Sequence, residues 1–222
     1  MMTSDEVRDF YTQNASLYHR LYIDVLRYGR GMNAFLRRSG VLEPNLRILD
    51  AGCGTGNVTR QVLDVARHRG ITGLSLHGFD LTPAMLNRFR RWLHREGVEA
   101  VDLREANVLE PHHLPESWTG YDRILSSAML EYLPKDRLAE ALAGLRRRLA
   151  GDGTLTIFIT RRNALMKALI GWWWKANIYT RDELSEIFRQ AGFDSITFHR
   201  FPRRFWHLNL WGLIIEARNP QS

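Results

Sequence analysis

The sequence predicts an α/β protein with a doubly wound, mostly parallel sheet and helices on both faces. Three observations carry this. First, the apolar run Leu46 to Leu49 leads into Asp50-Ala51-Gly52-Cys53-Gly54-Thr55-Gly56-Asn57, and a helix-like pattern with Val58, Val62, Val65 and Ala66 leaves it. A strand, a glycine turn and a helix in that order place free backbone N–H groups at a sheet edge, where the missing Cβ lets a ligand approach. Second, the order recurs: Leu74 to Asp80, then Thr82-Pro83, then Met85, Phe89, Trp92 and Leu93 on one face. Repeated strand–turn–helix units pack as a parallel sheet. Third, 222 residues at 45% apolar content suffice for one α/β domain with a sizeable core and exclude a disordered chain.

The elements follow in order. Residues 4–39 read as helical, with Ser4 as N-cap, Val7, Phe10 and Tyr11 on one face and Leu17, Leu21, Val25 and Leu26 on another; Gly40 and Pro44 end the segment. The first strand is 46–50, and its helix runs to Arg69 with Gly70 in the C-cap region. The second strand is 74–80; Thr82 suits the N-cap of the next helix and Pro83 its first position. A short third strand, 100–104, runs into Glu105-Ala106-Asn107-Val108, and the loop Pro111 to Gly120 precedes a fourth strand at 121–126. Leu138, Leu142, Leu145 and Leu149 form a single core-facing stripe on a helix over 138–149. Gly151-Asp152-Gly153 reads as a turn into a fifth strand at 154–160. Thr180 N-caps a last helix over 181–191, and strands at 195–201 and 210–217 close the chain.

Composition narrows the partners. Cys53 is the single cysteine, which excludes an intrachain disulfide and fits a reducing cytoplasm. No Cys/His spacing suggests a zinc site, so no metal is expected. No apolar run is long enough to span a bilayer, and the opening Met1-Met2-Thr3-Ser4-Asp5-Glu6 is no signal peptide. The net charge of +7 favours an anionic partner; nucleic acid, an anionic membrane surface and an acidic small substrate all stay open. The basic groups are scattered (Arg88, Arg90, Arg91 and Arg95; Arg146 to Arg148; Arg161 and Arg162; Arg203 and Arg204), which reads more as solvated faces than as one patch.

The acidic-x-Gly-x-Gly-x-Gly turn of Asp50, Gly52, Gly54 and Gly56 resembles the first motif of the class I S-adenosylmethionine (SAM)-dependent methyltransferases. The dinucleotide fingerprint would want a glycine where this chain has Asn57, which argues against NAD and FAD. Asp80, the 121–127 stretch and the 179–193 stretch resemble later motifs of the same family, so the resemblance covers nearly the whole chain. It implies a Rossmann-like, seven-stranded sheet with an antiparallel last strand. It implies one domain: an N-terminal helical cap (1–44), a cofactor-binding core (45–160), a lid or substrate insertion (161–180), and a C-terminal helix with a strand hairpin (181–222). The implied cofactor is SAM and the product S-adenosylhomocysteine. The residues carried over are Asp50, Gly52, Gly54, Gly56, Asp80 for the ribose hydroxyls, Leu81 or Val108 for the adenine faces, Asn107 and Ser126, with Tyr11 and Tyr18 from the cap. Asn107 stands where the family usually has an acid; its carbonyl oxygen can accept the adenine amino group.

The acceptor side is less specific. The family often has a histidine where this chain has Glu131, and Glu131, His19, Tyr18 and His207 are the candidate bases by predicted location. Consecutive tryptophans cannot all face one core from one helix face, so at least one of Trp172, Trp173 and Trp174 is expected to be exposed, in a pocket or at a contact; a substrate pocket with Phe205, Trp206 and His207 on its rim is the preferred reading and plain packing the next. Tryptophan with flanking Lys and Arg also resembles an interfacial helix, which leaves peripheral membrane contact open. The leading expectation is methyl transfer to a small apolar, aromatic or lipid-like acceptor. RNA or protein methylation ranks second, with nucleic acid the less favoured partner because no RNA-binding module accompanies the core. A non-catalytic SAM-binding or membrane-surface scaffold is third, and a hydride-transferring enzyme fourth. Acceptor atom and oligomeric state are not encoded in these motifs.

Overall fold

A computed structural model describes residues 27–161 and 177–219. The 4–26 part of the expected helical segment 4–39, the candidates Tyr11, Tyr18 and His19, and the Trp172 to Trp174 run lie outside the described residues.

The elements are α1 (Tyr28–Arg38), β1 (Arg47–Ala51), α2 (Asn57–Arg69), β2 (Ser75–Asp80), α3 (Pro83–Arg95), β3 (Val101–Glu105), β4 (Tyr121–Ser127), α4 (Leu138–Arg146), β5 (Leu149–Thr160), α5 (Arg181–Gln190), β6 (Ser195–His199), α6 (Leu208–Trp211) and β7 (Gly212–Arg218). The seven strands order as β3-β2-β1-β4-β5-β7-β6. All neighbours from β3 to β5 pair in parallel, whereas β7 runs antiparallel to both β5 and β6. The doubly wound sheet with a reversed last strand is therefore present. Among the described residues no helix is long and apolar enough to cross a membrane.

Alternation along the strands sets the two faces. Leu49, Ile124, Ile157 and Ile215 pack with α4 and α5, while Ile48, Leu125, Phe158 and Ile214 pack with α1 and α2. Successive strand residues point to opposite sides of a sheet, so both sets bury only when helices cover both faces. The predicted stripe of Leu138, Leu142, Leu145 and Leu149 is buried. α1 packs along α2, and Asn33 donates to Asp64 across them at 2.8 Å.

The caps are locally determined. Gly70 ends α2 at φ 65°, a left-handed conformation that costs glycine little. Thr180 accepts from the Glu183 amide while Glu183 reaches back to the Thr180 amide, a complete capping box. Thr82 stands at the N-cap of α3 and Pro83 in its first turn, as expected, but the Thr82 side chain makes no cap bond. It serves Asp80 instead.

Two expectations are corrected. The helix over 138–149 ends at Arg146, and the expected turn at Gly151-Asp152-Gly153 lies inside β5. Leu149 pairs with Tyr121 and Thr154 with Arg123, so the intervening residues bulge out of the ladder. A Cβ on Gly153 would lie 2.6 Å from the Tyr121 carbonyl oxygen, which explains glycine there. Between β6 and β7 the connection is not a simple hairpin loop: a 3-10 turn (Arg203–Phe205) and α6 fill it, because Phe201 and Leu208 bury against α1.

Candidate active site

β1 delivers Asp50 and the glycine turn to the C-terminal edge of the sheet, and β2 delivers Asp80 beside it. The Asp80 Oδ2 accepts the Gly54 amide at 2.8 Å, and Oδ1 accepts the Thr82 amide at 2.8 Å. One carboxylate thus joins the turn after β1 to the start of α3. A carboxylate has about four lone-pair sites, so with the Thr82 hydroxyl as a third donor about one is left. Burial pushes the Asp80 carboxyl up, against the lowering effect of these two amides.

The three glycines have different reasons. All have positive φ: 71° at Gly52, 52° at Gly54 and 86° at Gly56. A Cβ on Gly52 would meet the Met129 side chain at 2.4 Å, and one on Gly56 would meet the Phe89 ring at 2.2 Å. A Cβ on Gly54 would meet only Asp80 Oδ2, at 3.9 Å. Gly54 therefore faces free space, while Gly52 and Gly56 are required by packing.

Asp50 is 2% exposed. Its Oδ2 accepts the Thr59 amide at 3.1 Å and the Thr59 hydroxyl at 2.6 Å, which ties β1 to the first turn of α2; Oδ1 has no hydrogen-bond partner. Burial raises its pKa to about 7, and the nearby Asp80 charge adds to the rise. Cys53 is buried beside this pair, and burial pushes its thiol up, which fits a packing residue rather than a nucleophile.

The remaining cofactor candidates divide. Leu81 is partly exposed next to Asp80. Asn107 Oδ1 accepts the Leu109 amide at 3.1 Å and its Nδ2 donates to Glu110 at 3.3 Å, so its oxygen already closes a turn and has one lone pair left. Val108 is 8% exposed and packs in the core with Leu114 and Trp118. Ser126 is fully buried in mid-sheet, and its hydroxyl has no partner.

Glu131 lies in the 3-10 turn Leu130–Tyr132 that follows β4, and it is 3% exposed. Thr160, the last residue of β5, donates its hydroxyl to Glu131 Oε1 at 3.0 Å. Oε2 has no partner. Burial raises the Glu131 pKa to about 7. Its carbonyl oxygen accepts the Asn177 amide at 2.7 Å. Tyr179, also buried and with an unpartnered hydroxyl, is pushed up by burial and by the Glu131 charge. Glu131 lines a small cavity with Tyr28, Ala128, Ile159, Thr160, Leu208, Trp211 and Gly212. Tyr28 bonds Ser127 Oγ at 3.2 Å, which holds α1 against the end of β4. Ala128 adopts φ 53°, an uncommon conformation for alanine that turns the chain from β4 into the Glu131 turn.

Phe205, Trp206 and His207 do not line this cavity; Trp206 is 62% exposed. The same connection contributes Leu208 and Trp211 instead. Tyr28, Thr160 and Trp211 carried no signal in the sequence. Thr160 was accessible in principle, because ligands in such sheets bind outside the C-terminal strand ends.

A methyltransferase-domain family model matches residues 48–153, from β1 to the bulge in β5. Residues 48–153 are thus a class I SAM-dependent methyltransferase domain. A malonyl-(acyl-carrier protein) O-methyltransferase of Halorhodospira halophila is 33% identical over 130 residues, which cover 57% of this chain and 39% of that protein. The chain thus spans less than two thirds of that relative's length. Magnesium protoporphyrin IX methyltransferase of Synechocystis PCC 6803, with bound S-adenosylhomocysteine, superposes with a TM-score of 0.71 at 18% identity, covering 98% of this chain and 100% of that one. The (4+2) cyclase SpnF superposes with a TM-score of 0.72 at 19% identity, covering 100% and 98%. These solved structures share the methyltransferase fold with this chain. Because one of them is a cyclase, the fold by itself does not name the reaction.

Proposed function

We propose that this methyltransferase domain binds SAM at the Asp50–Asp80 edge and transfers its methyl group to a small, largely apolar acceptor that offers a hydroxyl or amine proton to Glu131. The observation that carries this reading is Glu131 itself: a buried carboxyl, with Oε2 free, in a cavity otherwise lined mainly by Tyr28, Ile159, Leu208 and Trp211.

The residues fit the cofactor on three counts. Gly54 has open space where a side chain would stand, Asp80 keeps an acceptor position, and Asp50 holds an unpartnered buried oxygen. Gly52, Gly54, Gly56 and Asp80 would hold it, with Leu81 against the adenine. When bound, SAM supplies an electrophilic methyl on a sulfonium. Two raised carboxyls at this edge favour a cationic ligand, since each gains by ionising beside it. On the acceptor side, Thr160 fixes one carboxylate oxygen of Glu131 and leaves the other to take a proton. A pKa of about 7 suits a base working near neutrality. The same carboxylate repels an acceptor that is itself an anion.

Several arginines are committed to backbone carbonyls: Arg47 to Ser117, Arg60 to Thr55, Arg69 to Leu42, Arg123 to Val41, Arg146 to Ala191, and Arg148 to Pro115 and Trp118. This use of cations as internal clamps weighs against a continuous nucleic-acid face.

The test is calorimetric titration with SAM and S-adenosylhomocysteine, followed by transfer of labelled methyl to hydrophobic phenols, amines, thiols and acids. Asp80→Ala is expected to weaken SAM at least tenfold. Glu131→Gln is expected to keep SAM binding and lose turnover of hydroxyl or amine acceptors. Turnover of such acceptors that is untouched by Glu131→Gln would remove the proposed base. SAM binding without turnover of any acceptor would favour a scaffold.

A further inference from the structure

We propose that Glu110, His112 and His113 form a divalent transition-metal site on the turn after β3. The turn Pro111–His113 gathers one carboxylate and two imidazoles. A ligand atom from each lies within 4.8 Å of the others. Glu110 Oε2 and His113 Nδ1 are 3.1 Å apart, and the two histidine rings are 4.2 Å apart between centroids.

The geometry suits zinc. Two ligand atoms of a tetrahedral zinc, each about 2.0–2.1 Å from the ion, lie roughly 3.3 Å from one another. The Glu110–His113 pair already has that separation. Only the His112 ring has to swing inward, and it is exposed and free to do so. Two imidazoles and a carboxylate form a donor set that selects zinc-class ions over calcium or magnesium, with water completing the coordination.

The backbone under the site is held in place. The Glu110 amide donates to the Asn107 carbonyl at 2.9 Å, the His113 amide to the Glu110 carbonyl at 3.0 Å, and buried Leu114 anchors the exit. The carboxylate also has an outer partner. Asn107 Nδ2 donates to Glu110 Oε1 at 3.3 Å, which leaves Oε2 turned toward His113. Outer hydrogen bonds of this kind orient metal ligands. A plain Glu–His pair accounts for Glu110 and His113 but not for the His112 ring beside them. The proposal does not depend on the methyl-transfer reading.

The experiment uses the full chain stripped of metal with a chelator and titrated with Zn2+ by calorimetry, with Co2+ as a spectroscopic probe. A single zinc ion per chain is expected. His112→Ala, His113→Ala and Glu110→Gln should each weaken zinc at least tenfold and abolish the visible Co2+ bands of low-coordinate geometry, with unchanged thermal midpoints in the metal-free state. The proposal fails if the chain takes up no zinc at micromolar concentrations. It fails equally if the double variant His112→Ala/His113→Ala binds zinc as the parent does, since the ion then sits elsewhere.

Discussion

The Asp80 carboxylate accepts the Gly54 amide at 2.8 Å, which makes the acid at the end of β2 a structural part of the glycine turn after β1. With the Thr82 amide on its other oxygen, Asp80 works as a clip between two strand–helix crossings. Asp80→Asn keeps one acceptor oxygen and turns an NH2 toward the other amide. We expect a stability loss of about 1–3 kcal/mol from that frustrated donor pair, read by urea denaturation. Asp80→Ala leaves both amides without their carboxylate partner and should cost a similar amount. Asp80→Asn as stable as the parent would show that the clip does not hold the turn.

The glycines separate stability from binding. Gly56→Ala drives a Cβ to 2.2 Å from the Phe89 ring at φ 86°, and should cost about 2–5 kcal/mol, lowering the thermal midpoint. Gly54→Ala meets open space and pays only for its backbone conformation, about 1–2 kcal/mol, but places a methyl on the face assigned to the cofactor. It should therefore impair SAM affinity far more than its stability loss implies. Equal effects of the two substitutions on both readouts would contradict this division.

Glu131 makes stability depend on pH. Its pKa rises from an ordinary value near 4.5 to about 7 in the folded chain, because burial penalises the anion. The folded state then binds more protons than the unfolded state between these values, so the stability contribution is full below about 4.5 and is lost as pH rises through about 7. Glu131→Gln should be near neutral at pH 5 and should stabilise relative to the parent at pH 8, by up to about 3 kcal/mol. Denaturation curves at the two pH values decide it; a difference that is the same at both would exclude the raised pKa of Glu131.

Thr59 supplies both donors to Asp50 Oδ2. Thr59→Val keeps the amide and the side-chain shape but removes the 2.6 Å hydroxyl bond. A loss of about 1–3 kcal/mol is expected. It should be larger at pH 8.5 than at pH 5.5, because Asp50, with a pKa of about 7, carries the charge that this bond relieves only at the higher pH. A pH-independent loss would place the cost in packing.

Much of the fold could be read directly from the residues because it is written in local terms. Alternation at Ile48 and Leu49 needs a sheet covered on both sides, Gly70 and the Thr180–Glu183 pair mark helix ends, and the glycine turn marks the edge where strands deliver ligands. The Glu131 cavity was not readable in the same way. Tyr28, Thr160 and Trp211 come from three distant stretches, and only the strand order brings them together. The bulge in β5 escaped for a related reason: Gly-Asp-Gly reads as a turn until Tyr121 is known to press against Gly153. The histidine pair had no recognisable ligand spacing, and a single 3-10 turn was enough to bring it to Glu110.

β7 lies between β5 and β6, although it is made after both. During synthesis β6 emerges before the strand it pairs with, and it cannot join the sheet through β5. β6 therefore reaches the sheet only through β7, either as a preformed antiparallel pair with it or after β7 has joined β5. Until residues 212–218 are available, β5 presents an unpaired apolar edge through Ile157 and Ile159. Such an edge is a natural target for a holding chaperone or for strand exchange between nascent copies.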